Sequence, residues 1–331
     1  MSFLAVLLAL ILEQARPLSP GHALQQAPRA WLRLVSRNLD AGRSHHGWLS
    51  WVVAVGLPAL VVLAAHHLLW WVHPVLAFVL NAAILYLTLG FRQFSHHFTT
   101  IRDALDMGDE EQARSALAQW QQVDASALPR SEIVRHVIEH SVLEAHRRVF
   151  GVLGWYSVMA AFGLGPAGAV IYRLSGTAFA DWRDRSRQPG EGVSPALLQV
   201  ARQAWGLIDY LPARMTALAF AVVGSFEDAV DSWRQCVAGF AGTLADLVER
   251  NQAIVLAATA GAVNVRLGGT PLQSRRADVP DAAEPQPGLA ISAAGRAPEP
   301  AHLRSVVGLV WRSVVLWMVL LALLTLARLL G

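Results

Sequence analysis

The sequence predicts an all-α fold, a polytopic helical membrane protein with cytoplasmic helical segments and room for re-entrant helices. Three observations predict it. Hydrophobic residues make up 54% of the 331 residues and charged residues 15%, against about 45–50% and about 25% in a soluble domain. Mean hydropathy is +0.39, and surface that faces lipid needs no charge to solvate it. Apolar runs near ~20 residues recur, the length that crosses a bilayer core at about 1.5 Å per residue. No segment alternates with the period of two that marks a strand, and no internal repeat is visible.

The elements follow in chain order. Residues 1–12 are apolar but too short for a usual span. They lack a basic leader and a small-residue cleavage site, so an uncleaved membrane-embedded helix is expected rather than a secretory signal. The first clear span runs from Trp51 to Trp71 and a second from Val75 to Phe91. The connector Trp70-Trp71-Val72-His73-Pro74 is aromatic and uncharged. Tryptophan prefers the membrane interface and proline ends a helix, so the two spans read as a tight hairpin. Arg29, Arg33, Arg37 and Arg43 precede it, and Arg92 and Arg102 follow. An excess of arginine marks the cytoplasmic side, so both flanks are expected there and the hairpin tip on the far side.

A third apolar stretch runs from Val149 to Leu174, interrupted by Gly163-Leu164-Gly165-Pro166 and Gly168. Both ends are basic. Two half-helices and a single kinked span both fit. Two shorter runs, Met215–Gly224 and Ala253–Val265, are expected to be re-entrant or to lie on the membrane surface. The last span is Val306–Ala327, with Arg312 near enough to its entry to snorkel. Residues 93–148 read as cytoplasmic helices: Asp109 with Gln112 forms a capping box, and Ser131 is placed to cap the next helix. Residues 183–195 and 268–302 read as loops. The expected organisation is an N-terminal membrane region (1–91), a cytoplasmic helical region (92–148), a broken membrane helix (149–182), cytoplasmic or membrane-associated helices with an irregular loop (183–303) and a C-terminal transmembrane helix (304–331).

Composition excludes several chemistries. All 27 basic residues are arginine, so a lysine-bearing phosphate loop and a Schiff-base lysine are ruled out. Any phosphate must be held by arginine, backbone N–H groups or a metal ion. The single cysteine, Cys236, permits no internal disulfide and reads as a small buried hydrophobe. No basic stripe interleaved with aromatics appears, which disfavours nucleic-acid binding.

Several polar clusters invite a chemical reading, each with a bland alternative. His136-Val137-Ile138-Glu139-His140 has the spacing of a zinc-protease helix, but no third ligand is in view and an ordinary amphipathic helix explains it. The pairs His45-His46, His66-His67 and His96-His97 point about 100° apart on a helix and suit an interface better than a chelate. Arg266-Leu267-Gly268-Gly269 sets a guanidinium beside two glycines, a donor for oxyanions next to close-approach backbone, or simply a turn. Asp209-Tyr210-Leu211-Pro212-Ala213-Arg214 reads as a proline-nucleated helix start with a charge at each end, or as a membrane-surface anchor.

Taken together, from about residue 90 to the C-terminus, these segments resemble the CobD/CbiB family of cobalamin-biosynthesis membrane proteins and the related AmpE family. The resemblance lies in Asp109–Trp120, the helix containing Glu139, Gly165–Ala169 with Tyr172, Tyr210–Ala217, and Gly261-Ala262 leading into Arg266-Leu267-Gly268-Gly269. It implies a multi-pass protein of the bacterial inner (plasma) membrane. It also implies ATP-dependent amide formation joining a propionate of cobyric acid to aminopropanol or its phosphate, with Mg²⁺, so the partners would be the lipid bilayer and a corrinoid substrate. On that reading Asp124, Glu139 and Asp209 handle metal or amine, and Arg214, Asn251, Arg266, Gly268 and Gly269 hold phosphate or corrin amides. Departures stand beside it. The family's Gly-Arg-Asp-Thr reads Gln122-Val123-Asp124-Ala125, its Glu-Asn-Thr-x-Asp-Gly reads Glu139–Glu144, its Asn-Thr-Leu-Asp-Ser reads Gly176–Ala180, and its Ser-Pro-Asn-Ala-Gly reads Glu249–Ala253. Carboxylates are lost at several of these positions, which implies a retained scaffold with altered or absent synthase activity. An AmpE-like protein would instead be a non-catalytic membrane modulator linked to cell-wall stress and β-lactamase induction.

Overall fold

The computed structural model describes residues 2–16, 23–188, 192–240, 246–269 and 295–330. Among them the chain is helical throughout, with one isolated parallel bridge between Val265 and Arg296 in place of any strand. Helix α1 (Ser2–Ala15) is followed by α2 (Ala23–Leu39), α3 (Ser44–Trp51) and, through a π-turn at Val52–Gly56, α4 (Leu57–Val72). These last pieces form one continuous rod, Ser44–Val72, long and apolar enough to cross a membrane.

The hairpin expected at Trp70–Pro74 is present. His73 is extended, its Nδ1 accepts from the Val75 N–H at 3.2 Å, and Pro74 opens α5 (Pro74–Thr88). The cap satisfies one of the orphan donors at a helix start, and proline costs nothing there because its missing N–H would have been an orphan too. The second span is shorter than expected. It stops at Thr88 after 15 residues, because Leu89 turns extended and Gly90 follows before α6 (Phe91–Asp106) begins.

Asp109 caps α7 (Glu110–Gln121), accepting from Gln112 N–H at 2.9 Å. Ser131 does not cap the next helix. Pro129 holds that position, and α8 (Arg130–Ala145) already contains Ser131 in its first turn. A π-turn at His146–Phe150 leads into α9 (Gly151–Ala161). The turn through Gly163 and Gly165, both at positive φ, folds the chain back into α10 (Ala167–Ser186). The third apolar stretch is therefore a pair of packed helices, not one kinked span. Gly168 makes the packing possible: a Cβ there would stand 2.3 Å from the Trp155 carbonyl, the close approach that small residues allow. The loop expected from residue 183 starts later, since α10 runs to Ser186, and residues 189–191 of that expectation lie outside the described residues.

The largest departure is α11 (Pro195–Val223), a single helix of 29 residues that is also long and apolar enough to cross a membrane. Pro212 does not start a helix; it lies inside this one. A proline there leaves the carbonyl of the residue four back without its donor. That carbonyl belongs to Ile208, and the Trp155 indole N–H donates to it at 2.8 Å. The chain continues through α12 (Phe226–Ala238) and α13 (Leu247–Val263) to α14 (Pro300–Leu330), the third helix of crossing length. The Ala253–Val265 run is neither re-entrant nor superficial: Ile254, Val255, Ala257 and Ala258 are buried in protein. With Ile133, Val137, Ile138 and Val142 of α8, and Leu303, Val306 and Leu309 of α14, it belongs to the centre of the fold. Most of the 268–302 loop falls at residues 270–294, outside the described residues.

Candidate functional site

Two polar centres and one cavity lie within this frame. The first centre is built around Asp209, halfway along α11 and only 3% exposed. Its Oδ1 accepts from the Tyr172 hydroxyl at 2.8 Å and lies 2.9 Å from His146 Nε2. The other ring nitrogen, His146 Nδ1, lies 2.9 Å from the Thr216 hydroxyl. Asp209 and Thr216 are two helical turns apart on α11, so one face of that helix presents both ends of the imidazole with a partner. Tyr172 reaches Asp209 by passing over Gly151, where a Cβ would fall 2.0 Å from the tyrosine Cζ. The glycine is needed for space. A buried carboxylate, imidazole and phenol with all three partnered is an arrangement that can hold and move a proton.

Tyr172 also lines a cavity of about 450 Å³. Its walls come from α2, the end of α8 with the following π-turn, α10 and α11. They carry Arg29, Arg33, Arg147, Arg148, Arg173, Arg183 and Arg185 against only Glu144, Asp181 and Asp184. Glu144 bonds Arg148 and lies 4.0 Å from Arg147. Asp181 lies 3.6 Å from Arg185, whose Nη1 also donates to Ser36 Oγ at 3.0 Å. Neighbouring arginines hold the Glu144 carboxyl below its ordinary range against the opposing effect of burial. Sequence reasoning missed this site. Its arginines come from three separate stretches of chain, and on paper they read only as markers of the cytoplasmic side.

The second centre joins two motifs that the sequence did place. Glu139 of α8 receives the Gly268 backbone N–H on Oε1 at 2.7 Å and the Arg135 Nη1 at 3.1 Å. Arg135 also bonds Glu132 at 2.5 Å and lies 2.9 Å, through Nη2, from His136 Nε2. Gly268 and Gly269 adopt φ of 94° and 131°, which a side chain would resist. Burial raises the Glu139 carboxyl despite Arg135 beside it. Burial, with the Arg135 guanidinium next in weight, lowers His136 to about 4. Burial lowers His140 to about 4 as well, and its ring packs edge-on to Trp120 at 4.5 Å.

The remaining predicted residues divide. Arg214 and Asn251 meet: Arg214 Nη1 donates to Asn251 Oδ1 at 3.1 Å, and Asn251 Nδ2 donates to the Gly206 carbonyl at 2.9 Å. Arg214 also lies over the Tyr210 ring, 3.3 Å from its centroid. Asp124 is brought to neither centre. It is exposed and closes a local turn, its Oδ1 accepting from Ser126 N–H at 3.0 Å and Ser126 Oγ–H at 2.7 Å. Arg266 contributes its backbone, donating to the Arg296 carbonyl at 2.8 Å, while its side chain is exposed.

Among the described residues no group of three or more His, Cys, Asp or Glu is placed to hold a metal ion; Glu132 and Glu139 flank His136 at 3.9 and 3.7 Å, but Arg135 bonds both carboxylates. The cavity's carboxylates are each near an arginine. The donor set therefore fits phosphate or carboxylate oxygens better than a resident metal. Magnesium in particular draws most of its ligands from water and phosphate.

Helices of crossing length packed around buried polar centres, with an arginine-lined cavity among them, define a helical membrane protein with an internal site suited to anions. The model of the CobD/CbiB protein family matches residues 2–294. "Cobalamin biosynthesis protein CobD" of Stutzerimonas stutzeri is 31% identical over 288 residues, covering 86% of this chain and 84% of the relative. The protein of the same name from Chromobacterium violaceum is 34% identical over 197 residues, covering 59% and 57%. That from Leptospira interrogans is 27% identical over 286 residues, covering 82% of each. No solved structure matches. The chain belongs to the CobD/CbiB family, and these relatives bear that family's name, not AmpE's.

Proposed function

We propose that this protein works in cobalamin biosynthesis as a multi-pass enzyme of the bacterial inner membrane, joining a corrinoid propionate to an amino alcohol or its phosphate, in the family's form or a changed one. The observation that carries the reading is convergence. Glu144 and the Gly176–Ala180 segment, which stand where the resemblance places polar motifs, line the same cavity as Tyr172. Tyr172 in turn bonds Asp209.

Amide formation needs an activated carboxyl, an amine nucleophile and an acceptor for the proton that the amine loses. ATP would supply the activation, its phosphate carrying off the carboxyl oxygen. The arginines of the cavity suit the anionic groups that must be gathered, since guanidinium forks match carboxylate and phosphate geometry. The Asp209–His146 pair is the acceptor best placed in the fold, with Tyr172 linking it to the cavity wall. Glu139, locked to Arg135 and Gly268, holds the α8 helix against the segment that follows α13. Arg214 and Asn251 tie α11 to α13.

Complementation of a strain lacking the amide-forming step, together with corrinoid binding by the purified protein, tests this. Full rescue supports the family reaction. Binding without rescue supports changed chemistry, in keeping with the carboxylates missing from the motifs. Absence of corrinoid binding overturns the proposal.

A further inference from the structure

We propose that Thr216 is a positioning residue: its hydroxyl donates to His146 Nδ1 and so holds that ring as an Nε2–H donor to Asp209, which leaves the carboxylate rather than the imidazole to take the proton. The direction of the bonds stands on geometry alone. The role in proton uptake rests on the proposed function.

Thr216 is fully buried on α11, and His146 lies between it and Asp209. Buried hydroxyls elsewhere in this protein serve their own helices. Thr88, Ser141, Ser175, Thr259 and Ser313 each donate to the carbonyl four residues back, the usual local outlet for such side chains. Thr216 makes no such bond among the described residues, and its hydroxyl meets His146 Nδ1 at 2.9 Å instead. The backbone that carries the ring is fixed as well. His146 opens the π-turn His146–Phe150, a kind of turn that recurs at functional sites. Phe150, at the end of that turn, packs edge-on to Phe220, one turn past Thr216, with ring centroids 5.5 Å apart.

Proton counting sets the direction of each bond. An ionised carboxylate only accepts, and Asp209 Oδ1 takes the Tyr172 hydroxyl at 2.8 Å and stands 2.9 Å from His146 Nε2. Nε2 must therefore carry a proton. In a neutral ring Nδ1 is then an acceptor, and the Thr216 hydroxyl, which rotates to suit, supplies the donor. Every proton and both ring nitrogens are used. In a charged ring Nδ1 would donate too, and the Thr216 hydroxyl proton would be sealed inside without an acceptor, which interiors avoid. His146 thus keeps one proton and spends it on Asp209. A proton leaving the amine follows Tyr172, which lines the cavity. The amine N–H bond breaks as a bond to the Tyr172 oxygen forms, and the tyrosine's own proton passes to Asp209. His146 gains and loses nothing in that step; its N–H steadies the carboxylate.

Nitrogen NMR of the full-length protein with isotope-labelled histidine, in detergent at neutral pH, tests the bonding. The signals lost in His146→Gln assign the ring. Nδ1 is expected to resonate as an unprotonated, hydrogen-bonded nitrogen and Nε2 as a protonated one. In Thr216→Val, which keeps the shape, the Nδ1 signal should move toward that of a free acceptor, and Thr216→Ser should return it. Turnover of the corrinoid with ATP and an amino alcohol phosphate tests the role. In Thr216→Val kcat is expected to fall about tenfold or more, the scale of a misplaced group, with KM for the corrinoid within about twofold. Thr216→Ser should recover it. In an Asp209→Asn background the valine change should cost nothing further, because Thr216 acts through His146 on that carboxylate. A proton on Nδ1 of the wild-type protein overturns the inference, and no variant or activity is needed to read it. Unchanged kcat in Thr216→Val, a rise in KM alone, or an equal loss in both backgrounds overturns the positioning role. A wild-type protein without turnover counts against the proposed function, and the nitrogen signals still judge the bonding.

Discussion

The Trp155 indole donates at 2.8 Å to the Ile208 carbonyl, the one carbonyl in α11 that Pro212 leaves without its helical donor. A proline in mid-helix ordinarily kinks or ends it, at about 3 kcal/mol or more. Here a side chain on a neighbouring helix replaces the missing N–H, and α11 continues to Val223. Trp155→Phe keeps most of the packing and removes the donor. It is expected to destabilise the protein by about 1 kcal/mol, the cost of a hydrogen bond lost at a partly buried acceptor. Pro212→Ala restores the backbone donor, so the tryptophan change should cost clearly less in that background. Thermal unfolding of the four proteins in detergent measures the coupling. Equal cost in both backgrounds would sink the account.

Asp209, His146 and Tyr172 meet only because Gly151 leaves the tyrosine a path. Gly151→Ala puts a methyl where the ring stands. It is expected to destabilise by about 1–3 kcal/mol, typical of overpacking, and to remove activity along with the tyrosine's bond to Asp209. Asp209→Asn, which keeps the shape, is expected to leave corrinoid binding within about threefold while lowering turnover by about 10²-fold or more, the range of a lost proton acceptor. Binding and turnover falling together would assign Asp209 to substrate recognition instead.

Glu139 and Gly268 lie far apart in sequence and touch at 2.7 Å. Glu139→Gln keeps one acceptor but loses the charge beside Arg135. A loss of about 1.5–3 kcal/mol is expected, as for hydrogen bonds to charged groups. Protection of the Gly268 amide, read by hydrogen exchange, should fall in the same variant. Unchanged protection would show that the glutamate does not hold this segment.

Stability should also depend on acid through α8. His136 and His140 are each lowered from 6.5 to about 4, so both rings bind a proton less readily when folded than when unfolded. Their contribution is complete above pH 6.5 and is lost as pH falls toward about 4. Melting temperature is therefore expected to drop across that window and to drop less steeply in a His136→Gln/His140→Gln variant. Parallel curves for the two proteins would refute the assignment.

Much of the fold was legible in order along the chain. The first span, the tryptophan-rich connector and the Asp109 helix cap depend on local composition and spacing, and each appears where its residues place it. Pro212 misled because its rule is also local, while the group that overrides it sits on another helix. Of the site, Glu139, Asp209, Arg214, Asn251 and the Gly268-Gly269 pair were visible as residues but not as partners. His146 gave no signal beyond its type, and Asp124, singled out by its motif position, stands exposed in a local turn with Ser126, apart from both polar centres.

The sequence by itself determined that the chain is helical and belongs in lipid, because hydropathy and helical period are properties of neighbouring residues. Only the tertiary structure decided which polar groups share an interior. Arginines from residues 29 to 185 line one cavity, and an aspartate on α11 meets a histidine and a tyrosine carried by other stretches of chain. Buried polar groups must find partners wherever packing brings them, and packing joins segments that are remote along the chain.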